Sequence, residues 1–190
     1  GSTIQTLFQQ AFQLHQQGRL ANAQTIYEGI LKIQPNHSES LHLLGVIALD
    51  TGNPKRAVDL IGQAIHIDPS QAVSYSNRGN ALLKLMQFHD AIASYDKAIS
   101  LKPDYANAYY NRGVALKELD QIDAAIASYD KAIRIKPDFA GAFYNRGIAL
   151  QALKQFDAAI ASYDKAIAIQ PNLAEAHTNR GNTLRSQGKL

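Results

Sequence analysis

The feature that most constrains this chain is a sequence repeat with a period of 34 residues. One nonapeptide, Ala-Ile-Ala-Ser-Tyr-Asp-Lys-Ala-Ile, occupies residues 91–99 and returns unchanged at 125–133 and 159–167. Five prolines keep the same spacing, namely Pro35, Pro69, Pro103, Pro137 and Pro171. A fixed period between about 20 and 50 residues indicates a repeat array, in which each unit packs only against its neighbours.

Numbering each repeat so that its proline is position 32 gives the boundaries of the array. The predicted repeats are residues 4–37, 38–71, 72–105, 106–139 and 140–173, with a half repeat at 174–190. Residues 1–2, Gly-Ser, have the composition of a remnant of tag cleavage. Because the array stops inside its sixth repeat, the sequence predicts that it belongs to a longer protein.

Each repeat is predicted to form two antiparallel helices joined by a short polar break. Large residues at positions 4 and 11 share a helical face with a glycine at position 8, and positions 20, 24, 27 and 28 form a second stripe. The small residues at positions 8 and 20 predict a close approach of the two helices. The proline ends the second helix, and the residue after it is predicted to be the N-cap of the next helix. These predicted caps are Asn36, Ser70, Asp104, Asp138 and Asn172.

The recurring residues resemble the tetratricopeptide repeat (TPR) family, whose period is also 34. They are an aromatic residue or Leu at position 4, Gly at 8, Leu at 11, Ala at 20, Tyr at 24, Ala at 27 and Pro at 32. The resemblance covers residues 4–190 and implies an all-α fold, a right-handed superhelix (α-solenoid) of stacked antiparallel helix pairs. The first two repeats depart from the pattern at Gln10, Ile30 and Ile61.

The bulk composition excludes several classes of function. The 19 basic and 16 acidic residues, net charge +3, are spread along the chain, unlike the basic stripe of a nucleic-acid-binding protein. No apolar run is long enough for a membrane span, and no signal-peptide pattern is present, so a cytoplasmic location is expected. The absence of cysteine excludes a disulfide scaffold and thiolate chemistry.

The sequence shows no constellation of residues that would support catalysis. The six histidines occupy no fixed repeat position, and no pair has the helical spacing of a zinc site. The aspartates recur with the repeat, whereas a catalytic site is normally unique. We therefore expect no enzyme activity, no metal and no cofactor in this chain.

The first helix of each repeat carries the predicted binding surface, at positions 2, 5, 6, 9, 12 and 13. The corresponding wall binds peptides in the TPR family. Position 6 is asparagine in four successive repeats, Asn77, Asn111, Asn145 and Asn179. These amides either reflect common descent, tied to a neighbouring helix, or form a ladder that bonds the backbone of an extended peptide. The ladder resembles that of the repeat arrays of O-linked N-acetylglucosamine transferases. The predicted peptide-binding set also includes Asn80, Asn182, Tyr110 and Tyr144.

Arginine at position 7 admits two interpretations. The side-chain stems are predicted to pack while each guanidinium group reaches an acidic partner; the alternative is a basic ladder that binds an acidic ligand. The arginines are Arg78, Arg112 and Arg146, and the candidate acids are Asp96, Asp130 and Asp164.

Two functions from different classes remain open at this point. The first is a scaffold that holds an extended peptide or a partner protein in its groove. The alternative is the substrate-selecting arm of a larger enzyme, similar to a bacterial O-linked N-acetylglucosamine transferase-like glycosyltransferase. Association through repeat 6, as a homodimer or by end-to-end stacking around Leu184, is a further prediction.

Overall fold

The computed structural model describes residues 2–189, and all regular secondary structure in that range is helical. The helices are α1 (Ser2–Gln16), α2 (Leu20–Ile33), α3 (Ser38–Asp50), α4 (Pro54–Ile67), α5 (Ala72–Lys84), α6 (Phe88–Leu101), α7 (Ala106–Glu118), α8 (Ile122–Ile135), α9 (Ala140–Ala152), α10 (Phe156–Ile169) and α11 (Ala174–Ser186). The predicted all-α class is confirmed. Of the two residues assigned to a tag remnant, Gly1 lies outside the described residues and Ser2 is the first residue of α1.

The chain divides into two compact units, Gly1–Leu101 and Lys102–Leu190. Unit 1 contains α1–α6 and unit 2 contains α7–α11. Within each unit every helix packs against the next one along the chain, and the first helices of successive repeats also touch, α3 with α5 in unit 1, and α7 with α9 and α9 with α11 in unit 2. The connections are only three or four residues long, so consecutive helices run antiparallel, as predicted.

The two helices of a repeat meet where the position-8 glycine faces the side chain at position 24. A Cβ atom on Gly113 would lie 2.6 Å from Cε1 of Tyr129, and one on Gly147 would lie 2.5 Å from Cε1 of Tyr163. Both tyrosines are fully buried. Glycine is therefore required at these two positions because an aromatic ring occupies the volume of a side chain, which confirms the predicted close approach.

The predicted N-caps are wrong, because each observed cap is one residue later. The residues predicted as caps were Asn36, Ser70, Asp104, Asp138 and Asn172, whereas the observed caps are His37, Gln71, Tyr105, Phe139 and Leu173. In four of the five connections the cap N–H bonds to the carbonyl three residues earlier, for example Phe139 N to Lys136 O at 3.2 Å. The proline and the polar residue after it are the two central residues of this turn, a position that both types favour.

The first helix of every repeat ends in a left-handed residue at position 15. The residues with positive φ are Gly18, Gly52, Met86, Asp120, Lys154 and Gly188. The next residue bonds back across the turn, as Gln121 N does to Leu116 O at 2.9 Å, which is the pattern of a Schellman C-cap. Left-handed backbone suits glycine and strains other residues, so Met86, Asp120 and Lys154 hold this geometry at a cost in stability.

Candidate peptide-binding groove

A groove in unit 1 crosses the first helices of repeats 1 to 3. Its volume is about 510 Å³, and most of its lining comes from α1, α3 and α5. Ten of the lining residues fall at positions 2, 5, 6, 9, 12 and 13 of their repeats: Phe8, Phe12, His15, Gln16, Glu39, His42, Leu43, Val46, Val73 and Asn77. The predicted face of the first helices is therefore the face that lines this groove.

The walls of the groove are largely apolar. Phe8 and Phe12 on α1 lie side by side with ring centroids 6.4 Å apart, and α3 contributes Leu43 and Val46. Two of the lining hydrophobic residues are strongly exposed, Phe12 at 41% and Val73 at 44% of their accessible surface. A contiguous exposed apolar surface marks an interaction site more often than an inert one.

The only fully charged side chains that line the groove are acidic. Glu39 and Asp68 contribute carboxylates, and no lysine or arginine contributes to the lining. Hydrogen bonds from the side chains of Ser70 and Gln71 hold the pKa of Asp68 below its ordinary value, so its carboxylate stays ionised at neutral pH. The groove is thus apolar and acidic on a chain whose net charge is positive.

A polar network on α3 and α5 forms part of the floor. Asn77 Nδ2 lies 3.0 Å from His42 Nε2, and His42 Nδ1 lies 2.7 Å from Ser74 Oγ. An amide nitrogen can only donate, so Nε2 accepts and Nδ1 carries the proton that it donates to Ser74. Burial lowers the pKa of His42, which keeps this imidazole neutral at pH 7.

In unit 2 the same register joins asparagine to tyrosine. Asn145 Nδ2 donates to Tyr110 Oη at 2.8 Å, and Asn179 Nδ2 donates to Tyr144 Oη at 3.0 Å. Asn145 Nδ2 also donates to Gly141 O at 3.0 Å. Each amide thereby ties its helix to the first helix of the preceding repeat. For Asn77, Asn145 and Asn179 no hydrogen bond among the described residues uses the acceptor Oδ1.

The remaining predicted peptide-binding residues are distributed over both units. Asn80 in unit 1 accepts a hydrogen bond from Tyr95 Oη at 2.7 Å. In unit 2, Asn111 is half-buried and Asn182 is exposed on α11. Tyr110 also packs against Phe139, with ring centroids 4.7 Å apart. The role of the asparagine and tyrosine set in peptide binding stays a prediction.

The predicted pairing of position-7 arginine with a position-25 aspartate is confirmed in unit 2, where the structure shows that the acid comes from the preceding repeat. Arg146 Nε donates to Asp130 Oδ1 at 2.6 Å, while its Nη1 donates to Ser162 Oγ at 2.8 Å. Arg112 Nη1 makes the equivalent bond to Ser128 at 2.9 Å. These arginines therefore link neighbouring helices instead of presenting a basic ladder.

The described residues show neither a metal-binding cluster nor a candidate membrane span. They contain no cluster of three or more histidine, cysteine or acidic side chains that could hold a metal ion. Within the same range, no helix is both long enough and apolar enough to cross a bilayer. Leu184, predicted to present apolar surface at repeat 6, is half-buried.

The paired helices, the 34-residue period and the shared face of the first helices define an α-helical repeat protein. It belongs to the tetratricopeptide repeat family. Family profiles described as TPR repeat or tetratricopeptide repeat match residues 87–120, 115–154, 140–173 and 162–190. A profile described as anaphase-promoting complex, cyclosome, subunit 3 matches residues 16–98.

Solved structures support the same assignment. MamA is 30% identical over 87% of this chain and 96% of its own, with a TM-score of 0.79. The type IV pilus biogenesis factor PilW is 21% identical over 100% of this chain and 88% of its own, with a TM-score of 0.88. YrrB, a TPR protein with an unusual peptide-binding site, is 23% identical over 92% of this chain and 90% of its own, with a TM-score of 0.78. Among proteins with curated descriptions, none matched.

Sequence reasoning missed the apolar residues of the groove, although it identified the positions that they occupy. The repeated asparagines lie in repeats 3 to 6, whereas most of the apolar lining comes from repeats 1 and 2. The available signal was the departure of the first two repeats, where position 9 is Phe12 or Val46 and position 6 of the second repeat is Leu43. Three large apolar residues on a helical face opposite the packing stripe predict an exposed hydrophobic surface.

Proposed function

We propose that this protein is an interaction scaffold whose unit 1 groove binds an extended segment of a partner protein. The observation that carries the proposal is the apolar groove itself, whose lining includes the exposed side chains of Phe12 on α1 and Val73 on α5. Exposed aromatic and aliphatic side chains in a concave surface are the usual anchors of peptide recognition.

The dimensions of the groove favour a peptide over a compact small molecule. It crosses three helices, and neighbouring packed helices lie about 8–10 Å apart. A ligand that reaches from α1 to α5 therefore spans about 20 Å, which corresponds to roughly six residues of extended chain. Side chains that alternate along such a segment would place every second residue against Phe12, Val46 and Val73.

The charges define which peptides would be preferred. Glu39 and Asp68 favour a segment that carries lysine or arginine beside its apolar residues, since opposite charges at the rim of an interface improve association and exclude acidic competitors. His42, held neutral by burial, adds no positive charge that would oppose this preference. We infer a ligand with two or three apolar side chains and at least one flanking basic residue.

Selection from a phage-displayed random 12-mer library tests the proposal, with the full chain as bait. The enriched sequences should share apolar residues and a lysine or arginine. Phe12→Ser should weaken binding of the selected peptide by about tenfold or more, the scale on which an aromatic anchor contributes. Met86→Asn is the matched control: Met86 is 71% exposed in the same unit but lies outside the groove.

Two outcomes would contradict the proposal. Enrichment of acidic peptides would show that the carboxylates of the groove do not select the ligand. Equal loss of binding in Phe12→Ser and Met86→Asn would show that exposed hydrophobic surface in general, and not the groove, captures the peptides. Melting curves of both variants verify that each is folded under the conditions of the measurement.

The asparagine ladder is the alternative proposal for where a peptide binds. Its supporting observation is that Asn145 and Asn179 direct their NH2 groups to tyrosines and leave the acceptor Oδ1 for a peptide N–H. The alternative function, as the substrate-selecting arm of a larger enzyme, stays a prediction, and the full-length gene sequence would test it.

A further inference from the structure

The arginine of the third repeat lacks the acid that its counterparts have. In unit 2, Arg146 and Arg180 donate from Nε to the aspartate 16 residues earlier, at 2.6 Å and 2.5 Å. The same interval from Arg78 leads to Gly62. Arg78 therefore occupies the register of a salt-bridged arginine in a repeat that supplies no side chain at the acidic position.

The surroundings of Arg78 show an unmet requirement for an acceptor. Its Nε is buried and has no hydrogen-bond partner among the described residues. A buried donor without an acceptor costs stability, and more so when the group is charged. The residue as a whole is only half-buried, so the guanidinium edge can be approached from solvent.

Beside Arg78 there is open space where the missing carboxylate would lie. A Cβ atom built on Gly62 meets no atom within 4 Å. Gly62 and Arg78 line one shallow recess on unit 1, together with Val58, Asp59 and His66 of α4. None of the residues that line this recess also lines the peptide groove, so the two surfaces are separate.

We propose that the recess between Gly62 and Arg78 binds a carboxylate side chain, aspartate or glutamate, of a partner protein. The incoming carboxylate takes the place that Asp130 and Asp164 fill in unit 2, and a small turn of the Arg78 guanidinium brings Nε to it. Asp59 forms no ion pair with Arg78 among the described residues, yet its charge lies in the same recess. That charge penalises a phosphate dianion more than a single carboxylate, which is why the ligand is assigned as a carboxylate.

Nuclear magnetic resonance of the arginine Nε–H groups tests the site directly. The probe is the capped peptide acetyl-Gly-Asp-Gly-amide, compared with acetyl-Gly-Asn-Gly-amide and with sodium chloride at equal ionic strength. The Arg78 signal, assigned by its loss in Arg78→Lys, should shift saturably in the millimolar range with the acidic peptide alone. Arg146, already paired with Asp130, is the internal control and should not shift.

Two substitutions at one position separate the site from general effects. Gly62→Asp supplies the acid in cis and should abolish the response of Arg78 to the peptide, with a higher melting temperature than Gly62→Ala. Gly62→Ala also replaces the helical glycine with a residue that carries a Cβ atom, but it adds only a methyl group and no acid. Arg78 should therefore still respond to the acidic peptide in Gly62→Ala.

The proposal is overturned by any of four results. The first is that the Arg78 signal shifts no more than that of Arg146, and the second is that Gly62→Asp keeps the response. The third is a response seen only in Asp59→Asn, which would mean that Asp59 already forms an ion pair with Arg78. The fourth is that acetyl-Gly-Gly-Gly with a free carboxyl end binds better than the aspartate peptide, which would assign the site to a chain terminus.

Discussion

The two units use the same repeat register for different purposes. In unit 2, a tyrosine at position 5 accepts a hydrogen bond from the asparagine at position 6 of the next repeat. Tyr110–Asn145 and Tyr144–Asn179 are therefore equivalent links. In unit 1 the corresponding positions of the first two repeats carry Phe8 and Leu43, which face the groove. The comparison shows that one helical face can either join successive repeats by hydrogen bonds or remain apolar and exposed.

The arginine positions differ in the same way. Unit 2 pairs Arg146 and Arg180 with aspartates, whereas in unit 1 position 7 is Gln10, Leu44 and then Arg78 without its acid. Regular repetition in unit 2 gives Arg146, Arg180, Asn145 and Asn179 partners within the chain. The departures in unit 1 leave surface whose polar and apolar groups lack partners, and such surface is available for binding.

Substitution of the position-8 glycine should have the largest effect on stability and shows how strictly unit 2 is packed. Gly147→Ala places a Cβ atom 2.5 Å from the Tyr163 ring, so overpacking should destabilise by about 1–3 kcal/mol. Gly181→Ala is the matched control in the same register, because a Cβ there meets nothing within 4 Å. It should stabilise by up to about 1 kcal/mol through helix propensity. Urea denaturation measures the unfolding free energy of both variants. Equal changes would contradict the explanation that the Tyr163 ring fills the space beside Gly147.

Asn145→Ala separates the structural and ligand-binding interpretations of the unit 2 amides. Loss of the bonds to Tyr110 and Gly141 should lower stability by about 1 kcal/mol net, with less than about a threefold change in affinity for the selected peptide. Asn182→Ala, exposed on α11, should change neither. The peptide ladder expects the reverse: Asn111→Ala combined with Asn145→Ala would weaken binding by about tenfold at nearly constant stability.

The left-handed residue at position 15 provides a stabilising test. Unit 1 has glycine there in two repeats, whereas Lys154 in unit 2 holds a φ of 58°. Lys154→Gly should raise the free energy of unfolding by about 1 kcal/mol, since the left-handed strain of a side-chain-bearing residue is removed. Lys154→Ala, which keeps the strain, should not. A melting temperature that rises equally in both variants would attribute the gain to loss of the lysine.

The smallest expected effect is a pH dependence that only unit 1 has at position 5. Because burial lowers the pKa of His42, the unfolded chain binds this proton more readily than the folded one. Stability should therefore fall as pH drops below about 6.5. His42→Tyr with Ser74→Ala introduces the residue types found at the equivalent positions of unit 2, Tyr110 and Ala142. It should reduce the dependence of the unfolding free energy on pH between pH 7 and 5. Denaturation at several pH values across that range measures this dependence. An unchanged dependence in the double variant would show that a group other than His42 titrates.

The fold could be predicted from the sequence because the period, the prolines and the apolar stripes all agree. A pairing of position-7 arginine with position-25 aspartate was also predictable, because in the second repeat Leu44 and Gly62 replace both residues together. That Arg146 pairs with Asp130 of the preceding repeat was not predictable, because the register between repeats depends on how the helices pack. The N-caps were not, because Asp138 suits a cap and a turn equally well and the fixed φ of Pro137 decides for the turn. The left-handed Met86 and Lys154 were hidden too, since neither residue type favours that conformation.

The groove could be predicted only in part. Its positions follow from helical periodicity, but the choice between Asn145 as a ligand contact and as an interhelical link depends on where a tyrosine hydroxyl 35 residues earlier lies. Likewise, nothing in the sequence distinguishes Phe12 and Val73 from buried apolar residues. Their exposure depends on how the helices pack.

The most direct test of the central claim is a map of amide chemical-shift changes over the full chain when the selected peptide binds. The account predicts changes concentrated on the unit 1 groove, at Phe12, Val46, Val73 and Asn77, which disappear in Phe12→Ser. Changes confined to the asparagine and tyrosine residues of unit 2, with the unit 1 groove unaffected, would contradict it.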